Sequence, residues 1–128
     1  MKHYEPSQIR TLALIGHSGH GKTSVGDAIA HITGISNRLG SVAEQTSILD
    51  FEPEEKDRGG SLTNAFLTCE HNGHKLHLIV TPGDGDFVHN AHLAMQAVDG
   101  AVMVISATDG IETVTEKMNT LAQTKSLP

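Results

Sequence analysis

Gly16-His17-Ser18-Gly19-His20-Gly21-Lys22-Thr23 is the stretch that decides the fold. It fits G-x-x-x-x-G-K-[ST], a pattern that means something only between a strand and a helix. The apolar run Leu12-Ala13-Leu14-Ile15 before it, within about residues 10–15, reads as a buried strand. After it Val25, Ala28, Ile29 and Ile32 recur at helical spacing, predicting a helix to about Thr33 with Gly34 as its C-terminal stop. Gly16 and Gly21 release the backbone so that successive N–H groups turn inward as an anion nest. The helix N-terminus adds positive potential there. In such a loop the lysine, Lys22, reaches the β- and γ-phosphates, and the hydroxyl, Thr23, ligates Mg²⁺.

Working outward, Gly34 to Gly60 shows no sustained period, and a connection that long is often functional. Within it Glu52-Pro53-Glu54-Glu55-Lys56-Asp57-Arg58 predicts one helical turn opened by Pro53, with a solvated charge run as the reading of its side chains. Strands are expected over 61–71 and 75–81, joined antiparallel by the two-residue turn Asn72-Gly73. That register sets His71 against His74, Glu70 against Lys75, Cys69 against Leu76 and Thr68 against His77, with Glu70–Lys75 as a favourable cross-strand pair. A second helix is expected from an Asp86 N-cap, with Val88, Ala91, Ala94, Met95 and Val98 on its apolar face. Ala101–Ile105 reads as a strand buried on both faces, and a last helix, with Thr113 and Glu116 at capping-box spacing, runs to about Thr124. Alternating strands and helices with one hairpin predict an α/β fold, a mostly parallel sheet between helical layers.

The 128 residues suit one domain, and only 3% are aromatic, so the core must be aliphatic. A formal charge of −6 argues against nucleic acid as the main partner. The single Cys69 excludes an internal disulfide and fits a reducing compartment; with no signal-peptide pattern and no membrane-length apolar run, a cytoplasmic chain without membrane contact is expected. Cys69, His71 and His74 share a hairpin face, a possible metal set, while His77 points away; exposed hairpin-tip histidines are the stronger reading. His89 and His92 read as a solvated helix face.

These motifs together resemble the N-terminal part of the GTP-binding domain of translation elongation factor G and its relatives. Gly16–Thr23 is similar to the family phosphate loop. Asp50-Phe51-Glu52-Pro53-Glu54-Glu55 with Arg58-Gly59-Gly60-Ser61 is similar to the first switch. Thr81-Pro82-Gly83 with Asp86-Phe87 is similar to the second, and Asp99-Gly100-Ala101 and Asp109-Gly110-Ile111-Glu112 to the segment beyond. The resemblance implies a P-loop G-domain fold. It implies nucleotide contacts from Gly16, His17, Ser18, Gly19, His20, Gly21, Lys22, Thr23, Ser24 and Gly83. It implies Mg²⁺ on Thr23 and Ser61, GTP or GDP as ligand, the ribosome as partner, and 34–60 as a mobile switch. Four positions depart from the pattern. Val80 stands where the family has an aspartate that supports Mg²⁺, Asp84 where it has the histidine that orients the attacking water, and Gly60 and Gly85 where it has apolar residues. Weak or absent hydrolysis follows from these. The sequence ends before the family's next strand with its guanine-reading Asn-Lys-x-Asp. A truncated single domain lacking its C-terminal strands is therefore expected, with 101–107 as an apolar edge able to recruit a second copy. Two other readings stay open: a catalytically inactive nucleotide-binding or protein-interaction module, and an adenine-nucleotide P-loop protein.

Overall fold

The computed structural model describes residues 2–128. Four strands form one sheet in the order β2-β3-β1-β4. β1 (Ile9–Ile15) lies inside, parallel to both β3 (His74–Val80) and β4 (Gly100–Met103), while β2 (Ala65–His71) runs antiparallel to β3. The Asn72-Gly73 turn has positive φ at both residues, 47° and 76°, as a type I′ hairpin requires. All four expected cross-strand partners of the hairpin are in place. Glu70 lies opposite Lys75, but its ion pair is made instead to Lys2 from the N-terminal arm, Nζ to Oε2 at 2.5 Å.

Each sheet face carries its own core. On one, Leu14, Leu67, Leu78 and Val80 pack with Ala30 of α1 (Lys22–Ile32) and Leu49. On the other, Ala13 and Ile15 pack with Ala91 and Met95 of and beside α3 (Val88–Ala94), and with Val114 and Met118 of α4 (Thr113–Thr124). Both cores are aliphatic, in keeping with the scarcity of aromatics, and helices cover both faces of the sheet as an α/β sandwich requires.

Several elements differ from expectation, each for a physical reason. The buried side of α1 is Lys22, Gly26, Asp27 and Ala30, not Val25 and Ile32, which is 75% exposed. Polar Asp27 can sit inside because its carboxylate accepts the Ile48 N–H at 3.1 Å. α1 ends in a Schellman motif: Gly34 at φ 77°, its N–H on the His31 carbonyl and the Ile35 N–H on the Ala30 carbonyl. β2 starts at Ala65 rather than Ser61, because 61–64 are held by Glu55 and Asn90 instead of a strand. Asp84, not Asp86, caps the turn before α3, accepting the Asp86 N–H at 3.1 Å. α3 stops at Ala94, and Val98 reaches the same core from the turn beyond. The N-cap of α4 is Glu112, whose N–H meets Thr115 Oγ1 at 3.4 Å, one residue ahead of the Thr113–Glu116 box.

β4 is shorter than read and is not buried on both faces: it is an edge, and Val102 is 43% exposed. Chain from the far end reaches this edge, where the Ala101 N–H donates to the Pro128 carbonyl at 2.9 Å. No helix among the described residues is long and apolar enough to cross a membrane.

Candidate functional site: a phosphate loop between two converging segments

The loop after β1 leaves the sheet at Gly16, where φ is 141° and a Cβ would overlap the Val104 carbonyl oxygen at the end of β4. Only glycine fits that close approach. Gly19 and Gly21 are also at positive φ, 77° and 94°, so the loop closes into a nest and hands over to α1 at Lys22. Lys22 is 6% exposed, and its Nζ donates to the His17 carbonyl at 2.7 Å, which fastens the loop across itself. No carboxylate pairs with it among the described residues. Burial lowers its pKa to about 8. A buried ammonium with no carboxylate beside it favours an anion as its partner.

The loop forms one wall of a cleft of about 130 Å³. Ser18, Gly19, Gly21, Lys22, Thr23 and Ser24 line it from the loop, with Ser61 and Gly83 facing them. So eight of the residues singled out by sequence converge here. Gly16 lies beneath the loop instead. The His17 ring turns away to Glu112, Nε2 to Oε2 at 2.6 Å, and the His20 ring is buried 5.4 Å from that of His17, both its nitrogens without a partner. Neither of these two lines the cleft.

Thr23 Oγ1 and Ser61 Oγ stand 3.4 Å apart, and Ser61 donates to Asp50 Oδ1 at 3.2 Å. Two hydroxyl oxygens and a carboxylate are the hard donors Mg²⁺ takes, and neighbouring corners of its octahedron lie about 2.9 Å apart. The residues fit such an ion. Val80, buried at the end of β3, offers no oxygen to it. Asp50 is the functional candidate that residue-by-residue reading left without a role. Its only sequence signal is its place at the head of the first-switch match. Burial raises its pKa, the Ser61 hydroxyl opposes that, and nearby Glu55 and Asp27 reinforce it.

Two segments hold the far wall. α2 (Pro53–Arg58) begins with Pro53 as expected, but Glu55 is not solvated: it is 1% exposed and accepts the Leu62 N–H at 2.9 Å and the Thr63 N–H at 3.3 Å. Asp84 does not face the cleft; its carboxylate pairs with Arg58, whose guanidinium also lies 5.5 Å over the Phe87 ring. Cys69 is buried while His71 and His74 are exposed, and no three His, Cys, Asp or Glu side chains among the described residues converge on a metal position. His89 and His92 are solvent-facing on α3.

Against known proteins, residues 7–128 match the model of the elongation factor Tu GTP binding domain. Elongation factor G 2 of Streptomyces coelicolor is 36% identical over 110 residues, covering 86% of this chain and 16% of that protein. Elongation factor G of Gluconobacter oxydans is 34% identical over 122 residues, 95% of this chain and 17% of that protein. A crystal structure from Thermus thermophilus superposes with a TM-score of 0.91 at 37% identity, covering 95% of this chain and 18% of that one. The bacterial selenocysteine-specific elongation factor gives 0.71 at 28% identity, over 89% and 17%. The chain thus spans about a sixth of the length of the relatives it matches, and it belongs to the elongation factor Tu GTP binding domain family, on the elongation factor G side of it.

Proposed function

We propose that this chain is the nucleotide-binding part of an elongation-factor-G-like translational GTPase, taking GTP and GDP with Mg²⁺. The observation that carries the reading is Lys22, buried without a carboxylate partner among the described residues in a loop whose Gly19 and Gly21 stand at positive φ. Ser18 to Thr23 would cradle the phosphates, Gly83 would meet the terminal one, and Thr23 with Ser61 would hold the ion. Mg²⁺, when bound, neutralises phosphate charge. Residues 34–60 and 81–87 act as the first and second switches, ordered by the ligand and released when contacts to it are lost. The cytoplasm as location and the ribosome as partner of the longer protein belong to the same proposal.

Hydrolysis is slow or absent. A positioned acid–base group contributes on the order of 10²–10⁴ in rate. Asp84 spends one carboxylate oxygen on Arg58 and the other on the Asp86 N–H, so neither is free to orient water. That engagement also favours the second reading, a binding module without turnover. The test is a titration of fluorescent GDP, challenged by unlabelled GTP and ATP with and without Mg²⁺, beside Lys22→Ala. Guanine-selective binding lost in the variant is the expected result. Equal competition by ATP would move the site to the adenine-nucleotide class, and identical curves for both proteins would remove the phosphate loop from the explanation.

A further inference from the structure

Arg58 and Asp84 tie the two switch segments to each other. Buried Glu55 fixes α2 from behind through the Leu62 and Thr63 N–H groups, so Arg58 extends from a held base. Its guanidinium meets Asp84 and lies over Phe87, bridging to the second switch at two points. Asp84 is locked from its own side by capping the turn at Asp86. The next residue back, Gly83, is pressed on the phosphate loop: a Cβ there would overlap Lys22 Nζ and come within 2.5 Å of Ser18 N. A phosphate oxygen needs about 2.9 Å from each donor it accepts. A third phosphate between Gly83 and these two donors meets this close approach while the pair is closed.

We propose that Arg58 and Asp84 form a specificity-determining clasp, setting the preference of this site for nucleoside diphosphate over triphosphate. The proposal rests on the nucleotide reading above. A diphosphate seats on the loop amides with Gly83 in place. A triphosphate must push Gly83 outward, which draws Asp84 from Arg58 and costs that contact. Both side chains of the pair are partly exposed, 48% and 32%, so the contact is weak and screened by salt.

The experiment measures affinity of the full chain for fluorescent GDP and for a non-hydrolysable GTP analogue, both with Mg²⁺. Proteins are the wild type, Arg58→Gln, Asp84→Asn, the double variant, and the exchange Arg58→Asp with Asp84→Arg. Each single change should shift the affinity ratio toward triphosphate about two- to fivefold, the range of an exposed pair. The double variant should shift it no further than either single, the exchange should return part of the wild-type ratio, and about 0.5 M salt should shift the wild type alone. An unchanged ratio in variants that bind GDP, or additive shifts, overturns the clasp. Trypsin cleavage after Arg58 without ligand, faster in Asp84→Asn, reports the pair itself. Faster cleavage in a protein whose wild type binds neither nucleotide means that the site reading has failed. Equal cleavage with GDP binding intact means that the clasp has failed.

Discussion

Lys22 carries the pH behaviour of this site. Its folded pKa of about 8 lies below the ordinary 10.5 because burial disfavours the ammonium. Between those values the unfolded chain holds a proton that the folded one lacks, so this group's contribution to ligand-free stability rises with pH from about 8 to 10.5. Nucleotide affinity should move the other way. A phosphate needs the charged form, binding above pH 8 takes up a proton, and affinity falls there by up to about tenfold per pH unit. GDP titrations from pH 7 to pH 9.5 check this, and Lys22→Arg, always charged, should flatten the curve if it still binds. Ser61 is the second sensitive position. Ser61→Ala removes the donor to Asp50 Oδ1 and should cost about 1–3 kcal/mol in thermal unfolding. Adding Asp50→Asn should recover part of that loss, because the burial of an unsupported charge is then relieved.

At the scale of elements, Gly34→Ala should cost about 1–2 kcal/mol, since residue 34 sits at φ 77° with open space where a Cβ would go, leaving backbone strain as the whole effect. Calorimetry on the pair of proteins reads it directly. This C-terminal stop was legible because glycine itself signals left-handed backbone. The hairpin register was legible for the same reason, from Asn72-Gly73. The buried face of α1 was not, because hydropathy cannot show that Asp27 finds the Ile48 N–H in a segment with no period of its own. Glu55 was misread as solvated on the same ground: its partners, Leu62 and Thr63, are fixed by tertiary packing. Of the cleft, the loop and its facing Ser61 and Gly83 were readable as motifs. Val42, which also lines it, carries no such signal. The capping roles of Asp84 and Glu112 were each missed by one or two residues, where neighbouring acids and threonines made the choice ambiguous in one dimension.

For the whole molecule, β4 is the sheet edge, and we propose it as the surface through which copies of this chain associate. Exposed Val102 and Ile105 and the short strand invite a second copy, while Pro128 occupies the Ala101 N–H. Self-association at high protein concentration is expected, and removing Leu127 and Pro128 should strengthen it. Light scattering on eluted protein checks both, and a monomer in both proteins at millimolar concentration would count against the edge. The sheet order has a consequence in time. β1, next to the N-terminus and inside the sheet, pairs with β3 at Ile9↔Lys75 and with β4 at Leu12↔Gly100. During synthesis the phosphate loop therefore leaves the ribosome long before either strand that shapes it, whereas the β2–β3 hairpin needs only its own neighbours and can close within microseconds. Pulse-labelled hydrogen exchange should find Leu67 to Leu78 protected first and Gly16 to Thr23 last. The segment that would bind the ligand is the one the chain must keep waiting until its neighbours exist.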